Sequence, residues 1–234
     1  AEFIYQNLAI QTNVIHQSFI HDVKRLLFLG SSCIYPADCP HPIKEEYLLT
    51  GPLEKTNYAY AIAKIAGVKT VQAINQQHKK KYKAAMLTNM YGPNDNFDLK
   101  TSHVVPALIR KIYEAKIKNQ KRVEIWGTGK PKRDVLFVEE AARAILLYHE
   151  KGKNVQIMNI GSGKELSIKQ IAKNICEVVG FKGKLFFNKK YPDGTLRKVL
   201  DISKMKKLGW RNSVSFKVGI KKTLDWYIKN HANK

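Results

Sequence analysis

The chain has 234 residues, 44% of them hydrophobic and 10% aromatic, enough to bury one large or two small cores. Against 41 lysines and arginines stand 19 acidic residues, a formal charge of +22. The cations are spread along the whole length, which fits a solvated lysine-rich surface better than a nucleic-acid-binding stripe. No apolar run approaches the roughly 18–20 residues of a membrane span, and the start Ala1-Glu2-Phe3-Ile4 lacks a signal-peptide layout. Cys33, Cys39 and Cys176 form no Cys-x-x-Cys pair, so neither a disulfide framework nor a zinc site is indicated. The expected address is the cytoplasm, with no membrane, nucleic-acid or metal partner.

Apolar residues at Phe3, Ile4, Leu8, Ile10, Val14, Ile15 and Phe19 predict a helix over about residues 4–20. The run Leu26 to Leu29 is short and continuously apolar, as in a parallel strand covered on both faces. Pro36 to Pro52, rich in Pro, Asp, Glu and Gly, is a long loop leaving the carboxyl end of that strand, where α/β proteins place ligands. A helix over about residues 57–78 and a strand over about 84–89 follow. Beyond the turn Tyr91-Gly92-Pro93-Asn94-Asp95-Asn96, the pattern predicts a helix from Val104 to Ile117 and a strand from Val123 to Trp126. Arg133 to Val138 reads as extended, Glu139 to His149 as helix and Val155 to Ile160 as strand. Ser167 is placed to cap a helix closed by Gly180, and Lys184 to Phe187 is a small strand. Ser203 is expected to cap a short helix before Gly209, and a last helix spans about residues 215–230.

This alternation predicts an α/β protein: part of a Rossmann-like doubly wound parallel sheet with a smaller α+β substrate-binding lobe. The expected division is a nucleotide-binding portion over residues 1–100 and a substrate lobe over 101–234, with sheet elements returning near 133–160.

Two short stretches carry chemistry. Ser31-Ser32-Cys33-Ile34-Tyr35-Pro36 delivers a hydroxyl and a thiol to a strand end, and Tyr60-Ala61-Ile62-Ala63-Lys64 places a phenol and an ammonium one helical turn apart. An ammonium near the phenol is expected to lower its pKa from the ordinary value of about 10, fitting it for proton transfer. Tyr-x-x-x-Lys alone also describes a half-buried tyrosine beside a surface lysine. Its context, between the Ser-Ser-Cys turn and the Asn89 to Pro93 turn, is what raises it to a candidate site. Cys33 has the plain alternative of a small core residue, and His103, next to a helix start, that of a cap-region polar residue. Cys39 and Cys176 read as structural, Cys176 because it lies among Ile171, Ile175 and Val179 at helical spacing.

The words LLFLGSSCIYP (Leu26 to Pro36), YAIAK (Tyr60 to Lys64), TNMYGPNDNF (Thr88 to Phe97), SHVVPAL (Ser102 to Leu108), WGTGKPKRD (Trp126 to Asp134) and PDGTLRK (Pro192 to Lys198) resemble the extended short-chain dehydrogenase/reductases. Within that group they resemble the epimerase-reductases that convert GDP-4-keto-6-deoxy-D-mannose to GDP-L-fucose with NADPH. The resemblance covers essentially the whole chain. It implies that Tyr60 is the general acid protonating the C4 oxygen as hydride arrives. It further implies that Lys64 holds the nicotinamide ribose and that Ser31 hydrogen-bonds the C4 carbonyl oxygen. Cys33 and His103 would exchange protons at C3 and C5, and a thiol and an imidazole suit that by free pKa values of about 8.5 and 6.5. It assigns Leu29, Gly30, Ser31, Ser32, Lys64, Leu87, Thr88, Asn89, Met90 and His103 to the NADP(H) side. Lys111, Trp126, Arg133 and Asp193 fall to the GDP-sugar. Arg133 suits a diphosphate through its two-pronged donor geometry. The resemblance also implies a homodimer built on the helices near residues 4–20 and 57–78. Lys111 stands where the group commonly has arginine, and Leu87 where it commonly has proline.

No Gly-x-x-Gly-x-x-Gly or Gly-x-Gly-x-x-Gly opens a helix anywhere in the chain, and Gly127-Thr128-Gly129-Lys130-Pro131 runs into proline instead. In the resembled group that pyrophosphate cradle lies in an amino-terminal portion, so the sequence is expected to be a truncated or split form that binds NADPH weakly or not at all. The strand Leu26 to Leu29 is then expected to lack one parallel neighbour. Competing readings are another NAD-dependent sugar-nucleotide epimerase or dehydratase, and a catalytically incompetent nucleotide-sugar binder.

Overall fold

The computed structural model describes residues 1–153 and 155–232. In chain order its elements are α1 (Glu2–Ile20), β1 (Leu27–Ser31), α2 (Tyr58–His78), β2 (Lys83–Leu87), β3 (Asn89–Tyr91), α3 (Val104–Ile117), β4 (Arg122–Trp126) and β5 (Lys132–Phe137). They continue with α4 (Val138–Lys151), β6 (Ile157–Ile160), β7 (Glu165–Ser167), α5 (Ile168–Val179), β8 (Lys184–Asn188), β9 (Arg197–Lys198), α6 (Ser203–Lys207) and α7 (Phe216–Tyr227). The chain forms two compact units, one from Ala1–Thr88, Ala142–Gly163 and Leu200–Arg211, the other from Asn89–Ala141, Lys164–Val199 and Asn212 onward. The expected boundary at residue 100 therefore lies at Thr88, and α6 returns to the first unit as well as β6.

The first unit is built on a parallel sheet in the order β1-β2-β6, with Leu27 opposite Lys83 and Ser31 opposite Leu87, then Ala84 opposite Ile157 and Leu87 opposite Ile160. Ala84, Ala85, Met86, Met158 and Ile160 are almost wholly inaccessible, as continuous apolar runs in a Rossmann-like sheet should be. α2 packs on β1 through Gly67, where a Cβ would collide with the Phe28 ring. α1 packs on α2 around Ile15 and Gln11, whose amide donates to the Ala63 carbonyl. Among the described strands β1 pairs only β2, which leaves it at the sheet edge.

Asn159 on β6 ties the long loop after β1 to the sheet. Its Oδ1 accepts from the Tyr35 hydroxyl at 2.6 Å, its Nδ2 donates to the Ile43 carbonyl at 2.8 Å, and its backbone N–H donates to Glu45 Oε1 at 2.9 Å. Glu45 in turn pairs with Lys204 of α6 at 3.0 Å, and the Asp201 N–H donates to the Ile43 carbonyl at 2.8 Å. Asn159 is fully buried, so each of these bonds replaces water that cannot reach it.

In the second unit β5 is the hub: it runs parallel to β3 and β9 and antiparallel to β7, while β4 and β8 form a separate parallel pair. α3, α5 and α7 bury Ile109, Ile112, Ile171, Ile175 and Ile220 in one core. α5 begins in the expected way, with Ser167 and Gln170 in a reciprocal capping box, and ends at Gly180 in the left-handed conformation (φ 74°). A cap of this kind contributes about 1 kcal/mol.

Three expectations are corrected, and two short strands were not foreseen. The strand predicted over 84–89 is two strands, because the Thr88 N–H donates to the Ile160 carbonyl and ends the β2 ladder before Asn89 begins pairing with Val135. Ser203 is the first residue of α6 rather than its cap; its N–H is satisfied by Asp201 Oδ1 at 2.7 Å, and the N-cap is Ile202. The last α-helix stops at Tyr227 and passes into a π-helical turn. β7 and β9, at three and two residues, are too short to leave an alternation in the sequence.

Candidate active site

β1 ends at Ser31, whose extended backbone turns directly into the 3-10 turn Ser32–Ile34. The Ser31 hydroxyl oxygen accepts the Cys33 N–H at 3.2 Å and so caps this turn. Ser32, Ile34 and Tyr35 are buried, which fixes the turn and leaves Ser31 and Cys33 half-exposed at the carboxyl end of a parallel strand. Tyr60, in the first turn of α2, meets them: the Ser31 hydroxyl and the Cys33 side chain both lie near enough to its phenol to bear on it.

Lys64 lies over the Tyr60 ring as its spacing predicts, but its ammonium is hydrogen-bonded elsewhere. Its Nζ donates to the Leu29 carbonyl at 3.1 Å and lies 5.7 Å from the centre of the Tyr60 ring and 5.1 Å from that of Phe28. Burial pushes the Tyr60 phenol above its ordinary value, opposed by the Ser31 hydroxyl, and the Lys64 ammonium is not among the causes. Burial also pulls Lys64 down. At neutral pH Tyr60 is therefore a protonated phenol, equipped to give a proton rather than take one.

The second unit holds a cavity of about 310 Å³ lined by Lys111, Trp126, Arg133 and Asp193, all four expected on the sugar-nucleotide side. The half-exposed Trp126 ring stacks on Tyr191 with centroids 4.5 Å apart and an 18° interplanar angle, and Lys111 Nζ sits 5.0 Å from the indole. Arg133 Nη1 donates to the carbonyls of Lys132 (2.8 Å) and Thr195 (2.6 Å), which aims the guanidinium; burial pulls its pKa down, countered by Asp193. Asp193 accepts from both the backbone N–H and the hydroxyl of Thr128, bonds that hold its carboxyl below the usual range. Gly127 has to be glycine there, since φ is 80° and a Cβ would strike the Asp193 carboxylate. Asp193 thus spends both oxygens on closing the loop.

Ser31, Ser32, Cys33, Tyr60 and Lys64, with Leu29, Gly30, Leu87 and Thr88, belong to the first unit, and Asn89, Met90 and His103 to the second. His103 stands at the N-cap of α3 but makes no side-chain cap bond, and it is exposed. Three further residues escaped the sequence reading. Tyr191 and Thr128 escaped because their roles depend on Trp126 and Asp193 across a strand pair and a loop. Asp95 has a buried Oδ2 without a hydrogen-bond partner, and its carboxyl, raised by burial, feels the His103 charge.

The NAD dependent epimerase/dehydratase family model matches residues 1–161. GDP-L-fucose synthase 1 of Arabidopsis thaliana is 51% identical over all of this chain and 72% of its own length. GDP-L-fucose synthase of Escherichia coli K12 is 45% identical over 98% of this chain and 74% of its own. The crystal structure of a GDP-L-fucose synthetase from Naegleria fowleri bound to NADP superposes with a TM-score of 0.91 at 28% identity, covering 97% of this chain and 73% of that one. The chain belongs to the NAD-dependent epimerase/dehydratase family, among its GDP-L-fucose synthases.

Members of this epimerase/dehydratase family take a nicotinamide cofactor, and the residues at the β1 end fit one. Lys64 keeps two N–H donors after its bond to Leu29, enough for a ribose hydroxyl. Leu29 beside it is 42% exposed, an apolar surface for the uncharged part of such a group.

Proposed function

We propose that this chain catalyses the 3,5-epimerisation and NADPH-dependent 4-reduction of GDP-4-keto-6-deoxy-D-mannose to GDP-L-fucose. The observation that carries the reading is the convergence of a thiol, a hydroxyl and a protonated phenol at one strand end, Cys33, Ser31 and Tyr60.

The 4-keto group acidifies the protons on C3 and C5. Cys33 and His103 remove and return them, each proton leaving one face of the sugar and another arriving on the opposite face, so the epimerisations consume nothing. Ser31 donates a hydrogen bond to the C4 oxygen, which stabilises the enolate during proton removal. NADPH, when bound, supplies the two electrons that reduce C4. Lys64 would hold its ribose, and Leu29 to Ser32 and Leu87 to Met90 would line the nicotinamide side. Tyr60 gives its proton to the C4 oxygen, the role its burial prepares. In the second unit, Trp126 with Lys111 receives the nucleotide and Arg133 the diphosphate, while Asp193 keeps the loop shut on Thr128.

A product assay on GDP-4-keto-6-deoxy-D-mannose tests this. Cys33→Ser is expected to abolish solvent-deuterium incorporation at the epimerised carbons while a pre-epimerised ketone is still reduced. Unchanged incorporation removes Cys33 from the chemistry.

The proposal includes a cytoplasmic homodimer. α1 leaves Phe3, Ile10 and Val14 exposed at 60%, 66% and 55% on one helical face, a stripe suited to a second copy. Val14→Glu is expected to shift the sedimentation of a dimer to that of a monomer.

A further inference from the structure

The first unit has a second cavity, of about 390 Å³, at the amino ends of β1 and β2, the opposite ends of those strands from Ser31 and Leu87. Its wall carries Lys24, Arg25, Lys81, Lys83 and Lys153, against a single carboxylate, Glu150. Lys83 is half-buried, and its Nζ donates to the carbonyls of Tyr148 (3.0 Å) and His149 (2.7 Å) in the last turn of α4. Two of its three protons are thereby spent and one remains. Lys24 is committed to Asp22, which also holds Lys80. Arg25 and Lys81 make no ion pair among the described residues.

The arrangement is electrostatically uphill as it stands. Arg25 lies close enough to Lys83 to add to the downward pull that burial exerts on its pKa, and the acidic side chain present does not match the cations around it. An anion of several charges recovers this cost, and the Arg25 fork adds paired hydrogen bonds to phosphate oxygens. The cations converge on a concave cavity instead of following a stripe, which favours a compact ligand over a nucleic-acid strand. We propose that this cavity binds a small polyphosphate anion, at a site separate from the Ser31 and Tyr60 end of the sheet.

The probe is inorganic tripolyphosphate, titrated into the isotope-labelled chain at physiological ionic strength and followed by backbone amide shifts. Saturable shifts are expected to cluster at residues 24–26, 81–83 and 149–153. Arg25→Gln with Lys81→Gln, both exposed and so harmless to the fold, is expected to weaken binding about tenfold for each lost charge-assisted bond. Glu150→Gln is expected to tighten it. Lys169→Gln with Lys173→Gln removes the same charge from the exposed face of α5 and is expected to leave binding unchanged. Equal weakening by the two double variants, or shifts scattered over the lysine-rich surface, would overturn the proposal in favour of diffuse attraction.

Discussion

Replacing Asn159 with leucine keeps the side chain's size and removes its hydrogen bonding. The Tyr35 hydroxyl, held at 2.6 Å, then loses its acceptor inside a site with no solvent access, while the Ile43 carbonyl gives up the 2.8 Å bond from Asn159 but keeps the one from the Asp201 N–H. Orphaning the hydroxyl costs about 1–3 kcal/mol and losing the second bond to the Ile43 carbonyl about 1 kcal/mol more, so the expected loss is about 2–4 kcal/mol. The backbone bond from Asn159 to Glu45 survives and does not enter the sum. Burial holds Tyr35 far above the ordinary phenol range, so its hydroxyl remains a donor throughout the working pH range. Tyr35→Phe alone is expected to cost about 1 kcal/mol. In the Asn159→Leu background the same change is expected to be neutral or stabilising, because it deletes a hydroxyl that has already lost its acceptor. Urea midpoints of the four proteins close the cycle. If Tyr35→Phe costs the same in both backgrounds, the two side chains are not coupled and the account of the loop anchor is wrong.

Tyr60→Phe is expected to slow reduction of the 4-keto sugar by about 10²–10⁴-fold while leaving deuterium exchange at the epimerised carbons in place. Because burial raises the Tyr60 pKa, the phenol keeps its proton through neutrality, and its contribution is lost only as pH rises through that raised value. A reduction rate governed by a Tyr60 pKa near neutrality would contradict this. Trp126→Ala is expected to weaken GDP binding by about 1–3 kcal/mol in calorimetry, the worth of one base on an aromatic platform. Tyr191→Ala, which removes the support behind that ring, is expected to weaken it less. The Cys176 thiol is pushed up to about 11 by burial and by Glu177. Timed alkylation with mass mapping at neutral pH is therefore expected to label Cys176 about a hundredfold more slowly than an ordinary thiol.

Local chemistry made much of the molecule legible from sequence. α3 runs over Val104–Ile117 as its periodicity predicts, α5 is framed by Ser167 and Gly180, and β1 and β2 follow continuous apolar runs. These features depend on residues a few positions apart, where side-chain period and capping act without help from the rest of the chain. The candidate residues Ser31, Cys33, Tyr60, Lys111, Trp126 and Arg133 could likewise be named from motifs. Tertiary structure decided what surrounds them. Lys64 lies one turn from Tyr60 by spacing, yet its ammonium goes to the Leu29 carbonyl, and burial moves the phenol in the direction opposite to the one the pair implies. Asn159 becomes the anchor of a loop more than a hundred residues earlier in the chain, Tyr191 the backing of Trp126, and Thr128 the partner that occupies Asp193. Each of these depends on which distant groups share a water-poor space, and that is set when the sheets and helices pack, not by any spacing along the chain.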